Sequence, residues 1–387
     1  MAHPHFTDEQ LKGAAFNATS AALVEITDQA TRDHSQDPQS HIHRPADHPQ
    51  AHGLLHKFMP KETAEKLESH LHMGNYVITD RAKGTKEFEA MSIYVRLGMH
   101  LLYYGSLQAD VLHTQRVKEL LKEQSVKMGA KYDDPASKAH IVPFIESFNL
   151  QASMAEMVKP DPDSYATFNE FFAREIRPDA RPPAEKGNEA VVSSPADCRL
   201  TAFPTIDLAT KYWIKGFGFT LEKLLGSAEA AKLFDGGSLV IARLAPQDYH
   251  RWHAPTSGTV TSVTDIDGTY YTVNPQAINE ASTLDVFCEN RRSVMMLKSK
   301  FDGSPFALVA VGAMLVGSIK YVNDTNKEGK VLERGECVGA FYYGGSTVVA
   351  LYPKGAVEYD ADIVKASTEE QCETLVKVGE KIGTYVS

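Results

Sequence analysis

Apolar and polar positions follow three different rhythms along the chain. Over residues 1 to 60, as in "RDHSQDPQSHIHRPADHPQAHG", no periodicity persists, and the abundance of His, Asp, Gln and Pro predicts a mobile, solvated arm. From 61 to 185 apolar residues return at helical spacing through "KETAEKLESHLH", "FEAMSIYVRLGMHLLYYGSLQADVL", "TQRVKELLKEQSVKMG" and "YATFNEFFAREI", until the prolines of 178–183 end the helical region. From 186 to 387 the pattern shortens to β-branched and aromatic runs parted by Gly, Asp and Asn. They include "SLVIARL", "GTVTSV", "FALVAVG", "GAFYYGG" and "TVVALY", with one helical patch at roughly 220–234. Helices gathered before strands predict an α+β chain, in which a helical N-terminal region packs on a strand-rich body. The strands follow one another too closely for a run of crossover helices.

One helical stretch, "AMSIYVRLGMHLLYYG", is apolar over most of its length but carries Arg96 and His100. It is too short and too polar to span a bilayer. A helix buried against the strand-rich body accounts for it, and so does an interfacial helix among lipid headgroups; buried helices are the commoner of the two.

Composition narrows the class. The chain has 387 residues, 43% hydrophobic and 23% charged, which is enough to bury the core of one large or two ordinary domains. Lys plus Arg number 40 against 50 Asp plus Glu, a formal charge of -10 that argues against a general nucleic-acid binder. Cys198, Cys288, Cys337 and Cys372 lack the paired spacing of a zinc site or a redox dithiol, and a reducing compartment is the simplest setting for them. The N-terminus carries Asp8, Glu9, Glu25 and Asp28 and no apolar run of signal length, and no stretch of 18 apolar residues occurs anywhere. The expectation is an intracellular protein without signal peptide or transmembrane span, soluble or peripherally membrane-associated.

Ten of the 15 histidines lie at or before position 72, without a fixed ligand geometry, so no metal is predicted there. His100, His113 and His140 are scattered through the helical region. The strand-rich half keeps only His250 and His253, in "DYHRWHAP", as candidates for acid–base work near neutral pH. Packing of Tyr249, His250, Trp252 and His253 at an edge strand or bend explains the same residues. On a twisted or bulged strand both rings can approach one pocket.

Two further segments carry potential chemistry. In "YYGGSTVVALY", Gly344 and Gly345 precede Ser346, which is ordinarily a hairpin turn. A serine hydroxyl beside a flexible glycine carbonyl can also attack that carbonyl, given a base and donors for the oxyanion. The amide becomes an ester, elimination breaks the chain, and hydrolysis of the resulting dehydroalanine leaves a pyruvoyl group. In "VVSSPADCRL", Asp197 fits a turn residue capping a backbone amide, or a carboxylate that orients a histidine.

In this order, "TFNEFFAREIRPDARP", "SSPADCRL", "RLAPQDYHRWHAPTSG", "YTVNPQAIN", "VFCENRR", "VGAMLVGSI" and "GGSTVV" resemble the phosphatidylserine decarboxylase family. Upstream, "LLYYGSLQADVL", "LLKEQSVKMGAKYDDP" and "IVPFIESFNL" resemble its eukaryotic, non-mitochondrial branch, and the expectation is a form lacking the calcium-binding domain and membrane span that flank some relatives. Through "VLERGECVGAFYYGGS" the resemblance implies a catalytic body, residues 186–387, like a barrel-sandwich hybrid of lipoyl-carrier type. It implies self-cleavage between Gly345 and Ser346 into a β chain of 345 residues and an α chain of 387 − 345 = 42, which stay associated.

Carried onto matching positions, the family pattern makes Ser346 the pyruvoyl precursor. Asp197, His253 and Ser346 become the self-processing triad, with His253 as base, and His250 serves decarboxylation. The pyruvoyl carbonyl condenses with a primary amine and takes up the electrons released as the carboxylate leaves, with neither pyridoxal phosphate nor metal. The implied substrate is phosphatidylserine, converted to phosphatidylethanolamine. The same chemistry on a soluble, aromatic amino acid is one alternative, and a non-catalytic lipid-binding scaffold is another. The chain departs from the family in having Cys198 where glycine is common and Trp252 where phenylalanine is common.

Overall fold

Three runs, "SLVIARL", "PFALVAVG" and "STVVALY", are apolar on both sides of the pleat, and a strand of that kind is stable only where both faces are covered. They occupy the middle of a large sheet in the computed structural model, which describes residues 76–89, 115–214, 219–271, 285–312, 318–342 and 346–386. The strands of the first half are β1 Tyr76–Asp80, β2 Thr85–Glu89, β3 Val191–Ser193, β4 Cys198–Phe203, β5 Ser238–Leu244, β6 Arg251–His253, β7 Gly258–Ile266 and β8 Arg292–Ser299. Then follow β9 Pro305–Gly312, β10 Ile319–Tyr321, β11 Val331–Leu332, β12 Cys337–Phe341, β13 Ser346–Tyr352, β14 Val357–Tyr359, β15 Glu373–Val376 and β16 Lys381–Tyr385.

Ten strands form one mixed sheet in the order β11-β7-β8-β9-β13-β5-β4-β15-β1-β2, antiparallel throughout except where β1 runs parallel to β15. Two antiparallel three-stranded sheets, β10-β12-β6 and β14-β16-β3, complete the β structure. On one face of the large sheet Ile241, Val309, Val349 and Leu351 pack with Trp213, Leu224, Leu225 and Phe234 from the helical segments around 206–234. On the other, Val240, Ala242, Leu308, Val348 and Ala350 pack with Trp252, Val338, Phe341 and Ile382 of the small sheets.

The α+β class therefore stands, but the expected barrel-sandwich hybrid does not. The sheets are open, and the residues that suggested closure are shared between them: β11 and β13 join the large sheet, whereas β12 joins a small one. With helices on one face and the small sheets on the other, the central strands are covered without the sheet curling onto itself. The region 61–185, expected to be helical, also contains strands, since β1 and β2 form a hairpin that extends the sheet. The arm 1–60, the stretch "AMSIYVRLGMHLLYYG" and Gly345 lie outside the described residues.

A third core forms where the helical region meets the strand-rich body. Phe144, Phe168, Phe171 and Phe172 are buried together with Tyr132, Ile141 and Met157, and Tyr249 joins them from the strand-rich side. The short helix Phe168–Phe172 that supplies three of these rings is capped at its start: Thr167 Oγ1 accepts from Glu170 N, and the Glu170 carboxylate accepts from Ala166 N. Full burial of each such ring is worth about 1.5–3 kcal/mol, so the aromatic cluster holds the two regions in fixed relation.

Candidate active site

Ser346 is the first residue of β13, where the strand is flanked by Leu244 of β5 and Gly312 of β9, and it is completely buried. His250 lies just before β6, and its backbone carbonyl accepts from Phe341 N on β12. The two side chains meet: His250 Nδ1 is 3.3 Å from Ser346 Oγ. At the other ring nitrogen, Nε2 lies 3.0 Å from the carbonyl of Ala245. A carbonyl only accepts, so Nε2 carries the proton and Nδ1 presents its lone pair to the serine hydroxyl.

The turn that holds this tautomer is itself fixed. Asp248 N donates to Ala245 O, and the Asp248 carboxylate accepts from Ala245 N and from Arg199. The Phe172 ring stacks on the imidazole at a centroid distance of 3.9 Å and an angle of 25°. Burial pushes the His250 pKa down to about 3, and the Arg174 charge adds to that push. At neutral pH the ring is therefore a neutral acceptor aimed at a hydroxyl.

His253, at the end of β6, is held differently. Nδ1 donates to Gly335 O at 2.8 Å and Nε2 accepts from Tyr249 OH at 3.1 Å. Burial lowers its pKa to about 4, against the opposing pull of the Gly335 carbonyl and the Asp197 charge. Asp197 sits in the turn between β3 and β4, and the hydrogen bonds of its carboxylate go elsewhere. Oδ1 accepts from Arg181 Nε at 3.2 Å and from Val378 N at 2.8 Å, while Oδ2 accepts from Arg181 Nη2 at 2.9 Å. Arg181 also grips Glu156 at 2.8 Å. Burial works against the Arg181 charge, but the two carboxylates more than offset it and raise its pKa.

Of the residues singled out from sequence, His250 and Ser346 are thus in contact. His253 is fixed by Tyr249 and Gly335, and Asp197 by Arg181 and Val378. Gly345 lies outside the described residues. Phe172, Arg174, Arg181 and Asp248 were not singled out. Their signals were present as "FFAR", as "RPDARP" and as the proline-led turn "APQD" before the histidines. Among the described residues no group of three or more His, Cys, Asp or Glu is gathered as metal ligands, and no helix is long and apolar enough to cross a membrane.

The site suits a cofactor made from Ser346, because a buried hydroxyl already rests on a neutral base at the head of a rigid strand. Comparison with known proteins agrees. Residues 168–384 match the phosphatidylserine decarboxylase family. The chain is 44% identical over 310 residues to phosphatidylserine decarboxylase proenzyme 3 of Schizosaccharomyces pombe, covering 80% of this chain and 31% of that protein. It is 40% identical over 317 residues to proenzyme 2 of Oryza sativa, covering 81% and 50%. With the proenzyme of Fusobacterium nucleatum it shares 36% identity over 299 residues, 77% of this chain and 95% of the bacterial one. The chain thus spans half or less of the length of the yeast and rice relatives, and nearly all of the bacterial one. Given the full-length bacterial match and a family match running from the helix of Phe172 through His250 to β16, the chain belongs to the phosphatidylserine decarboxylase family.

Proposed function

We propose that this chain is a self-processing, pyruvoyl-dependent decarboxylase that converts phosphatidylserine to phosphatidylethanolamine and carbon dioxide. The observation that carries this reading is the contact between His250 Nδ1 and Ser346 Oγ inside a buried site. Formed from Ser346, the pyruvoyl group supplies a carbonyl that draws away the electron pair left by departing carbon dioxide. His250 holds a lone pair at Nδ1 beside that position and can accept or return a proton there. Phe172 shields the ring and keeps water from it, which favours loss of a carboxylate's charge.

In this reading His253 is the base for self-processing, Asp197 supports it, and His250 serves decarboxylation. To act as base, His253 must exchange Tyr249 or Gly335 for the serine. The contact of His250 with Ser346 favours a second reading, in which His250 itself takes the serine proton. The 40–44% identity with yeast and rice proteins over four-fifths of this chain supports placing it in the eukaryotic, non-mitochondrial branch.

Intact mass of the purified protein tests the proposal. A C-terminal fragment beginning with a ketone is expected, with carbon dioxide released from phosphatidylserine vesicles and not from free tryptophan. Ser346→Ala is expected to stay uncut and inactive. Normal turnover by that variant, or an uncut active wild type, refutes the proposal, and release from tryptophan alone replaces the substrate.

A further inference from the structure

Arg174 is a buried cation that has no contact counterion among the described residues. Its side chain follows the helix Phe168–Phe172 into the interface between the helical region and the turn that carries His250, and the residue is 2% exposed. Nη2 donates to two carbonyls of that turn, Asp248 O at 3.2 Å and Gln247 O at 3.4 Å. The guanidinium carbon lies 5.0 Å from the centroid of the Phe171 ring. Nε and Nη1 are buried and have no hydrogen-bond partner among the described residues.

The acidic groups whose charge reaches Arg174 are already engaged. Asp248 bonds to Arg199 and to Ala245 N, and Asp197 bonds to Arg181 and Val378 N. Tyr165 and Tyr249 also act on Arg174, but both are phenols kept protonated by burial. Burial disfavours the Arg174 charge, and that charge in turn helps to keep His250 neutral. A guanidinium desolvated to this degree is costly unless an anion completes it, and its planar fork suits a carboxylate or a phosphate.

We infer that Arg174 binds the phosphodiester of the lipid headgroup, through the nitrogens that the fold leaves unpartnered beside His250. This rests on the decarboxylase reading. Two anionic groups of the substrate compete for the assignment, and the chemistry separates them. The carboxylate loses its charge in the reaction, so a tight cation on it would stabilise the ground state more than the transition state. The phosphodiester keeps its charge throughout, and a cation that grips it contributes equally to both states. Such uniform binding appears in KM and not in kcat.

The test uses the processed enzyme with phosphatidylserine in detergent micelles, comparing wild type with Arg174→Gln and Arg174→Lys. In both variants cleavage to the C-terminal fragment is retained and reports a correct fold. The expected result for Arg174→Gln is a KM raised about tenfold or more with kcat within about threefold, and Arg174→Lys recovers part of the loss. Glycerophosphoethanolamine, which has the phosphodiester and lacks the carboxylate, inhibits wild type and loses at least most of that inhibition in Arg174→Gln. Inhibition by free serine is unchanged.

A fall in kcat at constant KM, or loss of serine inhibition with glycerophosphoethanolamine inhibition intact, overturns the assignment. So do unchanged constants, and so does a folded but uncut pair of variants, which would place Arg174 in self-processing. A measurement on wild type alone guards against variants that fail to fold: glycerophosphoethanolamine must raise its thermal midpoint, and no shift refutes the inference. Failure of the underlying reading looks different, because the wild type would then release no carbon dioxide from phosphatidylserine whatever glycerophosphoethanolamine does.

Discussion

His250 and His253 share one short segment, and both are deeply buried and neutral, yet their surroundings assign them different freedom. His250 has one nitrogen tied to a backbone carbonyl and the other turned to a hydroxyl that can react. His253 has both nitrogens occupied, by Gly335 O and by a tyrosine hydroxyl. Burial depresses the two pKa values in the same direction, so burial does not distinguish them. What distinguishes them is whether the second nitrogen meets a group with chemistry available to it.

The sharpest way to break this contrast is to remove each ring. His250→Ala is expected to leave the chain cut but to lower carbon dioxide release by about 10²–10⁴-fold, the usual worth of a positioned acid or base. His253→Ala is expected to leave the chain uncut, as seen on a denaturing gel. If instead His250→Ala stays uncut and His253→Ala is processed, the contact geometry has named the processing base and the division of labour reverses.

Next in size is Arg181→Met, which strands Asp197 and Glu156. A loss of about 2–3 kcal/mol is expected in chemical denaturation. The damage should fall on the His253 side, because the Asp197 turn also carries Pro195, whose carbonyl accepts from His253 N. Slower cleavage with unchanged turnover per cleaved chain is the expected pattern, and slowed turnover with normal cleavage would contradict it.

Acidification acts on both rings together. Their folded pKa values, about 3 and about 4, lie below the ordinary 6.5, so the unfolded chain binds protons that the fold refuses. Their contribution to stability is complete above 6.5 and declines as pH falls through 4 toward 3. The urea midpoint should drop across that window, and His253→Gln should flatten the drop. The smallest effect belongs to Tyr249→Phe, which removes one hydrogen bond to His253 Nε2 and should cost about 1 kcal/mol with His250 chemistry intact.

How far such features were legible follows from the kind of signal each leaves. The runs "SLVIARL" and "STVVALY" announce strands through their composition, and they are β5 and β13. Neither run composition nor the resemblance of "VLERGECVGAFYYGGS" to a barrel-sandwich hybrid carries information about strand partners, and its strands divide between two open sheets. The histidines were found by elimination, since the strand-rich half holds no other imidazole. Phe172 and Arg174 escaped because a helical segment with buried aromatics reads as ordinary core. Their relation to His250 exists only once distant parts of the chain are packed together.

The placement of Ser346 at the head of β13 has a mechanical consequence. A break before it would leave the short piece threaded through the larger one: β13 is bonded on both edges, to β5 and β9, β15 lies between β4 and β1, and β14 and β16 sit in another sheet with β3. Among the described residues no surface exists along which the two pieces can part while the sheets persist. Denaturation of the nicked protein would release them into solution as independent molecules, and recovery would then become a second-order encounter that slows on dilution. Irreversible melting at low concentration would be a property of the severed form that the intact precursor does not share.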